Sequence, residues 1–188
     1  MATAVNTPTA ETLVPTGSWT VDPIHSSAGF EVRHMVVSTF RGDFREFGAE
    51  LESRDGAARL VGTARPVSID VRDENLAAHL ASPEFFDAER YPEIRFESTA
   101  FEVDREGNVV AAGDLTIRGH TEAVEARGTL VHIVEDVSGA PRIGLNLETT
   151  VDRRAFGLEW NAPLPKGGFA LGNDVKLRIA LELVPKEA

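Results

Sequence analysis

The stretch from Val175 to Leu183 sets the tightest limit on the fold. Val175, Leu177, Ile179, Leu181 and Leu183 alternate without interruption with Lys176, Arg178, Ala180 and Glu182. Successive side chains of a strand point to opposite faces, so a period of two gathers the five apolar residues on one face. A strand with one dry and one wet face suits an antiparallel sheet covered on one side only.

The same signature recurs along the chain. Phe30, Val32, His34 and Val36 share one parity against Glu31 and Arg33. Phe40, Gly42 and Phe44 alternate, as do Phe47, Ala49 and Leu51, with a change of phase at Arg45-Glu46 that predicts a bulge or bend. Arg54-Asp55-Gly56 is a hairpin turn into a strand over 59–69. Ile94 and Phe96 follow Pro92, and a strand over 109–118 carries Val109, Ala111, Leu115 and Ile117 on one side. Strands over 124–134 and 143–151 come next, then a Pro/Gly-rich loop over 161–168. One short helix interrupts the series, with Asp73 as its cap and Leu76 and Leu80 as its apolar stripe. About eight strands and so little helix exclude an α/β sheet covered on both faces. A sandwich or a barrel remains, and closure removes the exposed edges. The expected fold is therefore mostly β, an antiparallel barrel with a short helical insert.

Residues 1–17, rich in Thr, Ala and Pro without periodicity, are expected to form a disordered arm before a single domain over 18–188. The arm has no basic residue and only short apolar runs, unlike a secretory signal, which predicts a cytoplasmic protein. Lys plus Arg number 19 against 30 Asp plus Glu, a formal charge of −11. That balance argues against nucleic acid and against an anionic bilayer, while leaving room for a small local basic patch. No apolar run reaches the roughly 20 residues of a membrane-spanning helix. With no cysteine, thiolate metal sites and cysteine nucleophiles are excluded.

The polar candidates are sparse. Asp22, His25 and Ser26 are an acid, a histidine and a serine close in sequence, but residues this near one another usually make local backbone bonds rather than a triad. His34, His79, His120 and His132 show no compact ligand spacing, so no metal site is expected. Of the adjacent Arg153 and Arg154, a strand would turn one outward and the other inward or to the rim. Trp160, Pro163, Pro165 and Phe169 are candidates to cap a barrel mouth. An eight-stranded barrel is either packed solid or holds one small ligand. Phenylalanines beside glycines such as Gly42 and Gly113 fit both readings.

Five segments carry a family resemblance: WTVDPIHSSAGFEVRH (19–34), STFRGDF (38–44), HLASPEFFDAERYPEIRFEST (79–99), GDLTIRGHT (113–121) and RRAFGLEW (153–160). In this order they resemble the YceI-like, polyisoprenoid-binding family. The resemblance implies an extended lipocalin-like barrel of eight antiparallel strands whose interior takes a long isoprenoid or an isoprenoid quinone. It implies no cofactor and no catalysis, and a homodimer is compatible with it. The lining expected from parity and the resemblance is Phe30, Val32, His34, Phe44, Phe85, Phe86, Phe96, Leu115, Leu147, Arg153, Phe156 and Trp160. Phe85 and Phe86, beside the helix, suit a lid or plug. Two positions depart from the family pattern, each losing a carboxylate: Ala78, just before His79-Leu80, and Ala155 in Arg153-Arg154-Ala155-Phe156-Gly157. A structural or protein-binding domain with a filled core is the alternative.

Overall fold

The computed structural model describes residues 14–187, apart from the side chains of His132 and Ile133. The strands are β1 (Gly17–Val21), β2 (Ser27–His34), β3 (Ser38–Phe44), β4 (Phe47–Arg54), β5 (Ala57–Ala64) and β6 (Ile69–Asp70), then helix α1 (Glu74–Ala81). After it come β7 (Ile94–Val103), β8 (Asn108–Ile117), β9 (His120–Glu135), β10 (Pro141–Asp152) and β11 (Leu171–Pro185). The hydrogen-bonded order β1-β4-β5-β7-β8-β9-β10-β11 returns to β1, so eight antiparallel strands close the ring. β2, β3 and β6 branch from β11.

Two interruptions shape this barrel. β11 pairs with β1 up to Val21↔Leu183 and with β2 from Ser27↔Ala180, so six steps along one strand face three along the other. Pro23 has no N–H to give a ladder, and Ser26 replaces part of it: its hydroxyl accepts from the Glu182 N–H (2.9 Å) and donates to the Glu182 carbonyl (3.4 Å). The second interruption is the expected change of phase at Arg45-Glu46. There the backbone turns aside to Ser68: Arg45 N–H donates to its carbonyl (3.0 Å) and Glu46 N–H to its hydroxyl (2.9 Å). Beyond this bend β3 pairs with β2 and β6 instead of β5. A wedge opens in the wall, and the chain over 65–93 fills it.

The helix forms where its cap predicts, with the Asp73 carboxylate accepting from Leu76 N–H at 2.8 Å. Leu80, Phe85 and Phe86 are buried against Ile69 and Phe44. Four expectations need correction. The strand from Phe30 ends at His34, so Val36 lies in a turn and is exposed. The strand expected over 59–69 ends at Ala64, because Pro66 starts a 3₁₀ turn. Arg153 and Arg154 sit in a 3₁₀ turn after β10 rather than in a strand. Of the expected arm, residues 1–13 lie outside the described residues, but Val14 is buried, and its carbonyl accepts from the Ser53 hydroxyl at 3.2 Å.

One end of the barrel is solid. Trp19, Leu51, Phe101, Val109, Ile143, Leu145 and Leu183 pack into a continuous core with Val14 across it. A second cluster, around Phe30, Phe44, Phe86, Leu115 and Phe156, encloses space. The packed and hollow readings therefore each describe one half.

Candidate functional site

The hollow half contains a cavity of about 490 Å³, within the range of small-molecule sites. Its floor is made by Ala49, Leu60, Ala126, Leu147 and Leu181, which belong to the solid core beneath. The walls rise through Leu177 on β11, Leu115 and Ile117 on β8, and Phe96 and Ile94 on β7. On β8 and β11 parity fixes this sidedness, because interior residues of the solid half and wall residues of the hollow half are successive members of one alternating series. On β7 a bulge between Ser98 and Ala100 shifts the phase between Phe96 in the wall and Phe101 in the core.

All twelve residues expected to line the interior border this cavity. Phe30, Val32 and His34 come from β2, Phe44 from β3, Phe96 from β7, Leu115 from β8 and Leu147 from β10. Phe85 and Phe86 follow α1; Arg153 and Phe156 lie in the turn after β10, and Trp160 in the loop beyond. The phenylalanines form a connected wall. Phe30 contacts Phe40 and Phe44 at 6.2 and 6.0 Å between ring centroids, and Phe44 meets Phe86 edge-on at 6.0 Å. Phe85, Trp160 and His79 form a second aromatic group, with centroids 5.0–5.2 Å apart.

Gly42 follows the packed reading, a small residue interlocked with a large one, while Gly113 serves a close approach of backbone. Gly42 lies under the Phe30 ring, and Gly113 lies against the backbone of Glu97 and Ser98. Neither leaves room for a ligand. Gly62, between Leu60 and Ala64 on β5, has nothing within 4 Å of where a Cβ would stand, and it borders the cavity. The sequence held the signal in the parity of Leu60, Gly62 and Ala64. The same parity marks Phe47, Ile117 and Leu177, which also line the cavity outside the expected set.

Arg153 is buried, at 5% exposure. Its Nε donates to Gly172 O (2.9 Å), its Nη1 to Trp160 O (2.9 Å) and Leu158 O, and its Nη2 to Asn173 Oδ1 (3.4 Å). Burial pushes this guanidinium below the ordinary arginine value. It is a clamp holding the segment over 157–173 against the barrel, built from backbone carbonyls rather than an ion pair. Arg154 points outward and pairs with Asp152 at 2.6 Å. The His34 imidazole borders the cavity and makes no hydrogen bond among the described residues. Ala78 and Ala155 are both exposed, so carboxylates there would face solvent rather than the cavity.

The Asp22–Ser26 segment lies elsewhere. His25 Nδ1 meets Asp22 Oδ2 at 3.0 Å, while Ser26 is engaged with the Glu182 backbone, so acid, histidine and serine form no relay. Asp22, His25 and Glu182 converge, but a cation of the chain sits among them. Arg142 Nη1 is 3.0 Å from Asp22 Oδ2 and 3.2 Å from Glu182 Oε1, and its Nη2 is 2.9 Å from Asp136. The Ser138 hydroxyl first and Arg142 second hold the Asp136 carboxyl far below the usual range, and His25, Ile24 N–H and Arg142 lower Asp22. Arg154 pulls Asp152 down to about 2.

These shifts predict an acid limit. Carboxyls whose folded values lie below the unfolded value of about 3.9 stabilise the fold above that pH, and the contribution disappears as the pH falls toward about 2. His25 has the opposite sign: raised by Asp22, it stabilises below about pH 6.5 and loses that contribution as the pH rises. Urea midpoints from pH 6 down to 2.5 are expected to fall steeply below pH 4. A flat profile would contradict the ion network.

Comparison with known proteins places the cavity in a family context. The YceI-like domain family matches residues 19–183. A curated relative, the UPF0312 protein SA2479 of Staphylococcus aureus (strain N315), is 31% identical over 172 residues, 88% of this chain and 96% of the relative. The crystal structure of Burkholderia cenocepacia BcnA superposes with a TM-score of 0.74 at 22% identity, covering 86% of this chain and 98% of that one. A polyisoprenoid binding domain from Saccharophagus degradans superposes with a TM-score of 0.68 at 11% identity, covering 89% and 98%. At these identities the structural likenesses establish the fold.

Proposed function

The chain belongs to the YceI-like family, and we propose that its hollow half holds the tail of a long-chain isoprenoid, either a polyprenyl chain or an isoprenoid quinone, without catalysing a reaction on it. The observation that carries this reading is the apolar cavity closed below by the solid core. It is shaped for a tail that enters from one end. The family and the polyisoprenoid binding domain of S. degradans support a lipid ligand. The filled-core alternative describes only the half around Ile143 and Leu145.

Burial of each CH₂-sized group contributes about 0.8 kcal/mol, so each five-carbon unit nominally adds about 4 kcal/mol, much of it offset by ordering a flexible tail. Affinity then comes from chain length and shape. The donors of Arg153 are engaged with the loop carbonyls, so the head group lies at the outer end, near His34 and Met35, and contributes less. Prenyl alcohols of graded length, titrated at low and high salt, test this. Affinity is expected to rise with each unit and then level off when the tail meets the floor at Leu60, Leu147 and Leu181. A flat dependence on length, or binding that collapses with salt, would reject it.

A further inference from the structure

The outer end of the hollow half carries two exposed apolar tips. The first is the β2–β3 turn, where Met35, Val36 and Val37 are 44%, 69% and 83% exposed. The second is the loop over 163–169, closed by the Pro163↔Phe169 bridge, with Phe169 60% exposed. Met35 N–H donates to Ala170 O at 2.7 Å, so the tips are held side by side. Met35, Ala170 and Leu171 also line the cavity, which places both tips on its rim.

The turn is unusual in its backbone. Met35 and Val36, in the three-residue connection between His34 and Ser38, have φ of 48° and 65°, the left-handed region that glycine and asparagine occupy most easily. A β-branched valine there is strained. An Asn-Gly pair would form this turn more easily and would be better solvated. The chain instead holds large apolar side chains in water on a strained backbone, a cost that an apolar environment would offset.

Charge points the same way. The chain carries −11 overall, yet residues 32–42 and 160–173 contain Arg33, Arg41 and Lys166 and no carboxylate. Arg41 is neutralised by Glu31 at 2.8 Å. Arg33 donates only to the Val36 carbonyl and the Thr39 hydroxyl, and Lys166 has no ion pair among the described residues. Two cations, Arg33 and Lys166, therefore stand at the rim without an ion pair among the described residues, with Glu31, Asp43, Glu159 and Asp174 as the carboxylates that border these segments.

We infer that the β2–β3 turn and the 163–169 loop form a docking surface for an anionic lipid bilayer, with Val36, Val37 and Phe169 entering the interface and Arg33 and Lys166 meeting phosphate groups. Apolar side chains with flanking cations bind such interfaces, each cation contributing about fivefold near an anionic surface. Docked this way, the cavity rim faces the bilayer, and an apolar tail moves between membrane and barrel without crossing water. The surface stands apart from the identity of the tail, because docking needs no ligand.

Flotation of the ligand-free protein with phosphatidylcholine vesicles, with and without 30% phosphatidylglycerol, tests it. The wild type is expected to float with the anionic vesicles and several-fold less with the neutral ones. Val36→Asn, Val37→Ser and Phe169→Ser together should reduce flotation at least tenfold. None of the three lines the cavity, so prenyl binding in detergent and the melting temperature should hold, and Val36→Asn alone should not lower stability. Equal flotation of wild type and triple variant would overturn the docking surface. So would a wild type that ignores vesicles but forms a dimer that the triple variant loses. Flotation without prenyl binding would leave the docking surface standing and reject the isoprenoid reading.

Discussion

Arg153→Met is expected to destabilise the protein by about 3 kcal/mol and to free the segment over 157–173. The guanidinium supplies donors to the carbonyls of Leu158, Trp160 and Gly172, all from a segment that doubles back over the barrel. Removing it leaves these acceptors without a protein donor, at about 1–3 kcal/mol for each that stays buried. Relief from burying a cation offsets part of that total. Lysine should not rescue the fold, because a single ammonium cannot reproduce a planar fork reaching Gly172 on one side and Leu158 and Trp160 on the other. Urea unfolding gives the global cost, and hydrogen exchange should show lost protection concentrated in 157–173. Leu158, Trp160, Ala170 and Leu171 form cavity wall, so a bound tail should leave at least tenfold faster. A loss below 1 kcal/mol with unchanged exchange would show that the clamp carries little.

Gly62→Leu is expected to act on the ligand and spare the fold. No atom lies within 4 Å of the Cβ position, and β5 holds the residue in ordinary extended backbone. Replacing a strand glycine lowers the entropy of the unfolded chain, so stability should hold or rise by about 0.5–1 kcal/mol. The added side chain has four carbons and occupies space close to one isoprene unit. About 3 kcal/mol of tail burial is displaced at 0.8 kcal/mol per carbon, partly offset by reduced tail ordering, which leaves a loss of about tenfold or more for long chains. Short chains that end above Gly62 should bind as before, so the plateau of the length series should arrive about one unit earlier. An unchanged plateau in a stable variant would place the tail elsewhere.

Much of this architecture is legible in local patterns. The alternation of Val175 to Leu183 needs no partner strand to assign its faces, because the side-chain period of two is a property of the extended backbone itself. The same rule placed Phe30, Phe96, Leu115 and Leu147 on the interior, and the alternation over Phe47, Ala49 and Leu51 located the bend at Arg45-Glu46. Asp73 marked the helix start through a bond reaching only three residues along the chain. Val36 shows where parity ends: the pattern continued, but the strand had already turned at Met35.

Whether interior residues meet one another or enclose space was decided only by the tertiary structure. Leu145 and Leu147 are two residues apart on one strand with the same side chain and the same facing, yet Leu145 is surrounded by core while Leu147 borders the cavity. The difference arises from the wedge between β3 and β5 and the insert that fills it, a property of distant segments. Gly42 and Gly62 diverge for the same reason: one lies beneath a phenylalanine from the next strand, the other faces open space. Arg153 also required the fold, because its partners are carbonyls, which every residue carries and no sequence pattern marks. The sequence by itself determined which faces are apolar, because backbone geometry imposes that residue by residue. Only the closed barrel decided where those faces leave room, because volume depends on every strand at once.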